Sequence, residues 1–139
     1  TNDFGVVQAL MDAPQVTVIH TGGQLDHSNH SCVGGLAVAT LRQVVTDIAF
    51  ISTSSWDLLR GITTPSALKV EVKQVAMQSA SQAVLVASSS KYGTFSMYKI
   101  AGLEQFDIVI SDAALAPAAA DGIRKQGVEL MLPSDHEPA

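Results

Sequence analysis

The sequence is poor in cysteine, aromatics and charge. It has one Cys, one Trp and two Tyr in 139 residues, and only 15% of the residues are Asp, Glu, Lys or Arg. The single thiol, Cys32, cannot close an internal disulfide and fits a reducing compartment. No Cys-His pattern surrounds it, so it reads as a packing thiol rather than a nucleophile. No apolar run approaches the roughly 20 residues that a membrane-spanning helix needs. The opening Thr1-Asn2-Asp3 is neither basic nor apolar and does not read as a signal peptide. The formal net charge of -5 has the wrong sign for neutralising nucleic-acid phosphates. Together these absences point to a cytoplasmic chain with no membrane partner and no DNA contact of its own.

What is present is apolar: 47% of the residues are hydrophobic. The charged share lies below the roughly one quarter usual for soluble domains, which implies much buried or subunit-facing surface. The length fits one domain with one core.

The pattern alternates strand and helix. Thr1 or Asn2 is placed to cap a first helix carrying Phe4, Val7 and Leu10-Met11. Gln15-Val-Thr-Val-Ile-His20 reads as a strand ending at Thr21-Gly-Gly23, and Asp26-His-Ser-Asn-His30 as a polar loop. A helix is expected from Gly34/Gly35 to Val45, and a strand over Asp47-Ile-Ala-Phe-Ile51. Ser52 to Arg60 reads as a loop. Thr64 and Pro65 then look like the cap and first turn of a helix running to about Gln82. Ala83-Val-Leu-Val-Ala87 reads as a buried strand and Phe95 to Ile100 as an edge strand. Asp107 to Ser111 is another strand, Pro117 opens a last helix ending before Gly127, and Val128 to Leu132 closes the pattern. A polar tail follows from Pro133. Such alternation predicts an α/β fold with a mostly parallel sheet flanked by helices. Ligands in such folds sit beyond the carboxyl ends of the strands. The loop Ser88-Ser-Ser-Lys91-Tyr-Gly93 and the strand end at Ile108-Val-Ile-Ser-Asp112 lie there.

Several stretches, in order, resemble one family: the C-terminal effector-binding domain of DeoR-type bacterial transcriptional repressors. They are Thr1-Asn2 before a helix, Val16-Thr-Val-Ile with Thr21-Gly-Gly, Asp47-Ile-Ala-Phe, Gly61-Ile-Thr-Thr-Pro, Val72-Lys73-Gln-Val-Ala-Met77, Ser89-Ser-Lys91-Tyr-Gly93 and Phe106-Asp-Ile-Val-Ile-Ser-Asp112. The resemblance implies a Rossmann-like fold related to ribose-5-phosphate isomerase. It implies a phosphorylated sugar or sugar alcohol as inducer, a homo-oligomer, and a separate winged helix-turn-helix that binds DNA. On this reading residues 1–139 form a single effector-binding domain, incomplete on its N-terminal side: the family's upstream strand and Ser/Gly-Thr-Thr phosphate loop are absent. Two further departures are the Ser-rich loop Ile51-Ser-Thr-Ser-Ser-Trp-Asp57 and Ser88 in place of an acidic residue. Both suggest altered specificity.

The candidate ligand-binding residues follow, each beside a plainer reading. Lys91 can meet a phosphate or sugar hydroxyl, or be a surface lysine of a turn. Ser89 precedes it in the same stretch. Asp112 can accept sugar hydroxyls or cap the chain turn. Thr63 and Thr64 are expected at a helix N-terminus, which favours anions, although Thr64 also suits plain capping. Ser52, Thr53 and Asp57 are expected to line the pocket, with Trp56 stacking on a sugar or, by preference, packing inside. Lys73 reads as solvated or pointing back to the site. His27 and His30 lack partner ligands at metal spacing, and His20 reads as structural. No cofactor, metal or catalytic residue is expected. An isomerase-like enzyme is the alternative, but only Asp57 offers a carboxylate where such isomerases resemble one another in an acidic loop. A ligand-free oligomerisation module is the third reading.

Overall fold

A computed structural model of the chain describes residues 1–133, so the polar tail expected from Pro133 lies almost wholly outside the described residues. The elements, in chain order, are α1 (Phe4–Leu10), β1 (Gln24–Asp26), β2 (Ser31–Val33), α2 (Gly35–Leu41), β3 (Thr46–Ser52), β4 (Ser55–Asp57) and β5 (Gly61–Thr64). They continue with α3 (Ala67–Gln78), β6 (Ala80–Val86), β7 (Tyr98–Ala101), β8 (Ile108–Ile110), α4 (Pro117–Lys125) and β9 (Glu129–Met131).

The apolar runs build a four-stranded parallel sheet in the order β3-β6-β8-β9. This is the α/β architecture with a parallel sheet expected from the alternation, and the Rossmann-like fold that the resemblance implies. One face of the sheet holds the main core. Ile51, Ala83, Leu85, Val109 and Leu130 pack there with Ala119, Ala120 and Ile123 of α4, and Ala76 and Met77 of α3 lie against the same cluster. The alternate residues of the strands point the other way. Ile48, Phe50, Val86 and Met131 on that side remain 45, 67, 44 and 39% exposed. A smaller cluster joins α2 to α3 through Ala37, Val38, Val72 and Val75.

A second sheet, β4-β5-β7, is antiparallel; β4 and β5 are inserted between β3 and α3, and β7 between β6 and β8. It corrects two expectations. The stretch 52–60 is not one loop, because Ser52 ends β3 and Ser55–Asp57 form β4. The stretch Gly61-Ile-Thr-Thr64 is a strand, not a helix entry. Gly61 takes φ 74° in the turn, and a Cβ there would collide with the Ala101 carbonyl. The β-branched Ile62 and Thr63 then pair on both sides, and Thr64 pairs with Tyr98 of β7. Pro65 disfavours helix for Thr64, so α3 begins after Ser66, and the Thr64 hydroxyl accepts the Ser66 N–H at 3.2 Å.

Other boundaries also move. The α1 cap is Asp3, whose Oδ1 accepts the Val6 N–H at 3.0 Å; Thr1 and Asn2 stand outside the helix. Helix α2 stops at Leu41 rather than Val45, and α3 at Gln78 rather than Gln82. The latter stops early because Ala80 and Gln82 pair with Thr46 and Ile48. The stretch expected as a strand at 15–20 is in no strand among the described residues. The Val16 N–H closes a turn on the Ala13 carbonyl at 2.9 Å, and Thr1 meets the far end, its N–H donating to the Ile19 carbonyl at 2.9 Å and its own carbonyl accepting the neighbouring Thr21 N–H at 3.0 Å. Alternation makes a strand only where a neighbour supplies the ladder.

Leu85 is fully buried at the centre of the parallel sheet, whereas Phe50 faces outward. Leu85→Ala is expected to destabilise the chain by about 2–5 kcal/mol, and Phe50→Ser by no more than about 0.5 kcal/mol. Urea unfolding followed by circular dichroism checks the contrast.

Candidate functional site

Beyond the carboxyl ends of β3, β6 and β8 the chain is dense in hydroxyls and has three lysines. Packing carries Ser52, Thr53 and the loop 88–93 to the same end of the sheet, because β3 and β6 pair in register up to Ser52↔Val86. The hydroxyls form a buried chain. Thr53 Oγ1 donates to the carbonyls of Ser55 (2.9 Å) and Thr63 (3.2 Å). Ser55 Oγ lies 2.6 Å from Thr63 Oγ1 and 2.9 Å from Ser96 Oγ. The Ser96 N–H completes it by donating to Thr63 Oγ1 at 2.9 Å. Thr63 and Thr64 are thus buried strand residues, and neither presents a helix N-terminus.

The lysines converge on the end of β3. Lys73 Nζ donates to the Ser52 carbonyl at 2.5 Å and Lys91 Nζ to the Thr53 carbonyl at 3.1 Å. Lys69, one turn before Lys73 on α3, pairs with Asp26 at 3.2 Å. Burial, then repulsion from Lys69 and Lys91, pushes the Lys73 ammonium down to about 8. Neither Lys73 nor Lys91 makes an ion pair among the described residues. Lys69, Lys73 and Ser52 open onto a cavity of about 490 Å³ that runs along β3.

The carboxylates nearby are already engaged. Asp112 accepts the Ser89 N–H at 2.7 Å, the Ser89 hydroxyl at 2.6 Å and the Ala114 N–H at 3.0 Å. The Ser89 hydroxyl and N–H hold its carboxyl down at about 2. Burial alone would raise the Asp57 carboxyl, but the Arg60 N–H and guanidinium hold it below its ordinary range. That pair is 2.8 Å long, and Arg60 in turn stacks over Phe95. Asp26 is held at about 2 by the Ser28 hydroxyl and N–H, with Lys69 adding to them.

The loop carrying Lys91 is fastened on both sides. Asp112 grips Ser89. Trp56, fully buried, donates its indole N–H to the Ser88 carbonyl at 3.0 Å and stacks edge-on against Tyr92. Packing is therefore the place of Trp56. His20 Nδ1 accepts the Gly22 N–H, and its ring stacks on Phe4. His27 and His30 lie in the turn between β1 and β2. Among the described residues no group of three or more His, Cys, Asp or Glu is placed to hold a metal. No helix there is long and apolar enough to cross a membrane.

Sequence reasoning missed Lys69, Asp26, Ser55 and Ser96. One signal was available for the first: Lys69 and Lys73 are like charges one helical turn apart, an arrangement that disfavours a helix unless something else uses it.

The family described as DeoR C terminal sensor domain matches residues 1–113. Among curated proteins, the chain is 42% identical over 132 residues to an uncharacterized HTH-type transcriptional regulator of Haemophilus influenzae. It is 41% identical to YgbI, an uncharacterized HTH-type transcriptional regulator of Escherichia coli K12, and 30% identical to a putative aga operon transcriptional repressor of Escherichia coli O157:H7. Each match covers 95% of this chain but 51, 51 and 49% of the relative. The chain therefore spans about half the length of the curated relatives it matches.

Thr63→Val removes the acceptor of the Ser96 N–H and is expected to destabilise the chain by about 1–3 kcal/mol, read by chemical denaturation. Lys73 has a folded value near 8 against an ordinary 10.5. The unfolded chain thus binds more protons between those limits, and the lysine's contribution to stability rises with pH across that window. The stability advantage of Lys73→Met over the parent is accordingly expected to shrink between pH 8 and 10.5, as denaturation at stepped pH will read.

Proposed function

Because the chain belongs to the DeoR C-terminal sensor domain family, we propose that it is the ligand-sensing part of a transcriptional regulator whose effector is a phosphorylated sugar or sugar alcohol. The observation that carries this reading is the pair of cations at the end of β3. Among the described residues Lys73 and Lys91 reach only backbone carbonyls, and Lys69 stands one turn away in its ion pair with Asp26. A partly desolvated cluster of like charge is unfavourable in the free protein and is relieved by a dianion. Charge-assisted hydrogen bonds to a phosphate suit it. Ser52, Thr53, Ser89 and the flanking hydroxyls are the groups for the sugar end, while Asp112 positions Ser89.

Regulation then requires only that the effector bind two states of the protein unequally. In the whole regulator those states are different oligomeric arrangements, and the DNA contact belongs to a helix-turn-helix outside these 139 residues. Residues 1–139 act as one effector-binding domain in the cytoplasm, with a sheet completed by residues outside them. The isomerase-like alternative needs a carboxylate free to take a proton. Asp57, Asp112 and Asp26 are each engaged by a cation or by N–H and O–H donors, which favours binding over catalysis.

A thermal-shift screen against phosphorylated and free sugars and sugar alcohols tests this reading. A ligand at a hundredfold excess over its dissociation constant stabilises the fold by about 2.7 kcal/mol. The shift is expected only with phosphorylated compounds, and it is expected to vanish in Lys91→Ala. The affinity is expected to fall as pH rises through 8, because Lys73 then loses its proton. A hit that is turned over to an isomer, or equal shifts with free sugars, would contradict the proposal.

A further inference from the structure

The hairpin β1–β2 runs between the lysine cluster and the first residues of the chain. Its root is packed, with Val33 in the cluster that joins α2 to α3. Its second strand is tied to residues 2–4. The Cys32 N–H donates to the Asn2 carbonyl at 2.8 Å, the Asn2 side-chain amide to the Cys32 carbonyl at 2.9 Å, and the Phe4 N–H to the His30 carbonyl at 3.0 Å. Toward α3 the hairpin is held differently. Among the described residues the only hydrogen bond or ion pair between the two is Asp26–Lys69, at 3.2 Å.

The partners of that pair are unequal. Lys69 is only 8% exposed and lines the cavity that Lys73 and Ser52 also border. A buried ammonium stripped of its counter-charge is strongly unfavourable. Asp26 spends only one oxygen on Lys69, Oδ2. Its Oδ1 accepts the Ser28 N–H at 2.9 Å and the Ser28 hydroxyl at 2.6 Å, and these donors do more than Lys69 to hold the carboxyl at about 2. Asp26 can therefore release Lys69 and remain bonded. Lys69 can release Asp26 only if another anion takes its place.

We propose that Asp26 is a built-in competitor for the effector's phosphate: the incoming dianion takes Lys69 from it and so unlatches the β1–β2 hairpin from α3. This rests on the anion-binding reading of the lysine cluster given above. The exchange is local, because Lys69 lies one turn from Lys73 and close enough to repel its ammonium. A phosphate seated on Lys73 meets Lys69 in the same cavity. It offers more charge than a carboxylate, and it relieves the repulsion among the lysines, whereas Asp26 pairs with Lys69 alone. Asn29 and Ser31 of the hairpin line that cavity too, so the unlatched segment borders the ligand. From Ser31 and Cys32 the loosening reaches residues 2–4 through the bonds they share. One ammonium with two alternative partners thus supplies the two states that a sensor requires, and by reciprocity whatever tightens the hairpin weakens the effector.

The test uses the full 139-residue chain. Inorganic phosphate is the probe, below pH 8 so that Lys73 keeps its proton, with chloride at equal ionic strength as the control. Calorimetric titration reads affinity, and amide exchange reads the hairpin. In the parent, phosphate but not chloride is expected to speed exchange in residues 24–33 on the order of tenfold, because ladder amides exchange on local opening. Asp26→Asn removes the competitor. It is expected to bind phosphate on the order of tenfold more tightly than the parent, with a hairpin that already exchanges fast and no longer responds to phosphate. A purely structural Asp26 would loosen the hairpin without that gain in affinity. If Asp26→Asn does not fold by circular dichroism, the parent's response and Lys69→Gln decide. Lys69→Gln is expected to exchange fast with or without phosphate and to bind it on the order of tenfold more weakly. Equal or weaker phosphate binding by a folded Asp26→Asn would overturn the inference and leave the anion site standing. So would phosphate binding to the parent that leaves exchange in 24–33 unchanged or slower. Phosphate binding to neither the parent nor Asp26→Asn would overturn both.

Discussion

The parallel ladder between β3 and β6 is the constraint on which the rest depends. It runs from Thr46↔Ala80 to Ser52↔Val86. Through it the end of β3 and the start of the lysine-bearing loop come side by side, although some forty residues separate them in sequence. The insertion that fills that gap, β4 to α3, returns over the same end. It brings Trp56 to brace the loop and Lys69 and Lys73 to crowd it. Removing the ladder would scatter every group of the site at once.

Electrostatics gives the site its direction. The chain carries a net charge of -5, yet the crest of its sheet gathers lysines while its carboxylates are turned into local caps and ion pairs. Such an arrangement separates two tasks. The acids fix the loops, since a carboxylate that accepts several N–H and O–H donors is a rigid anchor. The ammonium groups stay on carbonyls, partners that a stronger anion displaces readily. If the proposed effector binds here, a site built this way is ordered in advance, and that lowers the entropy lost on binding.

Much of this was legible in the sequence where the physics is local or strongly patterned. The strands at Asp47-Ile-Ala-Phe-Ile51, Ala83-Val-Leu-Val-Ala87 and Asp107–Ser111 are short apolar runs, the pattern of a parallel sheet, although in the first of them only Ile51 is buried. The last helix shows its Pro117 and Gly127 at either end. Legibility failed where distant neighbours decide. Thr63-Thr64-Pro65 carries the same local signal whether it caps a helix or ends a strand, and the antiparallel pairing of Thr63 with Ser55 and of Thr64 with Tyr98 settles it. The stretch 15–20 alternates like a strand, but alternation says nothing about whether a partner is present. Lys73 was open between solvent and site, because desolvation by a distant strand end leaves no trace in helical spacing.

Trp56 has a further consequence. It is the only tryptophan in the chain, it is sealed from water, and its indole N–H is bonded to the loop that carries Lys91. Its excited state therefore sits in an apolar setting with one polar contact, and that contact is to the loop that carries Lys91. The protein carries an intrinsic fluorescent gauge of its own loop, with no second indole to blur the signal. Any displacement of the Ser88 carbonyl or of the Tyr92 ring is written directly into the colour and intensity of that emission.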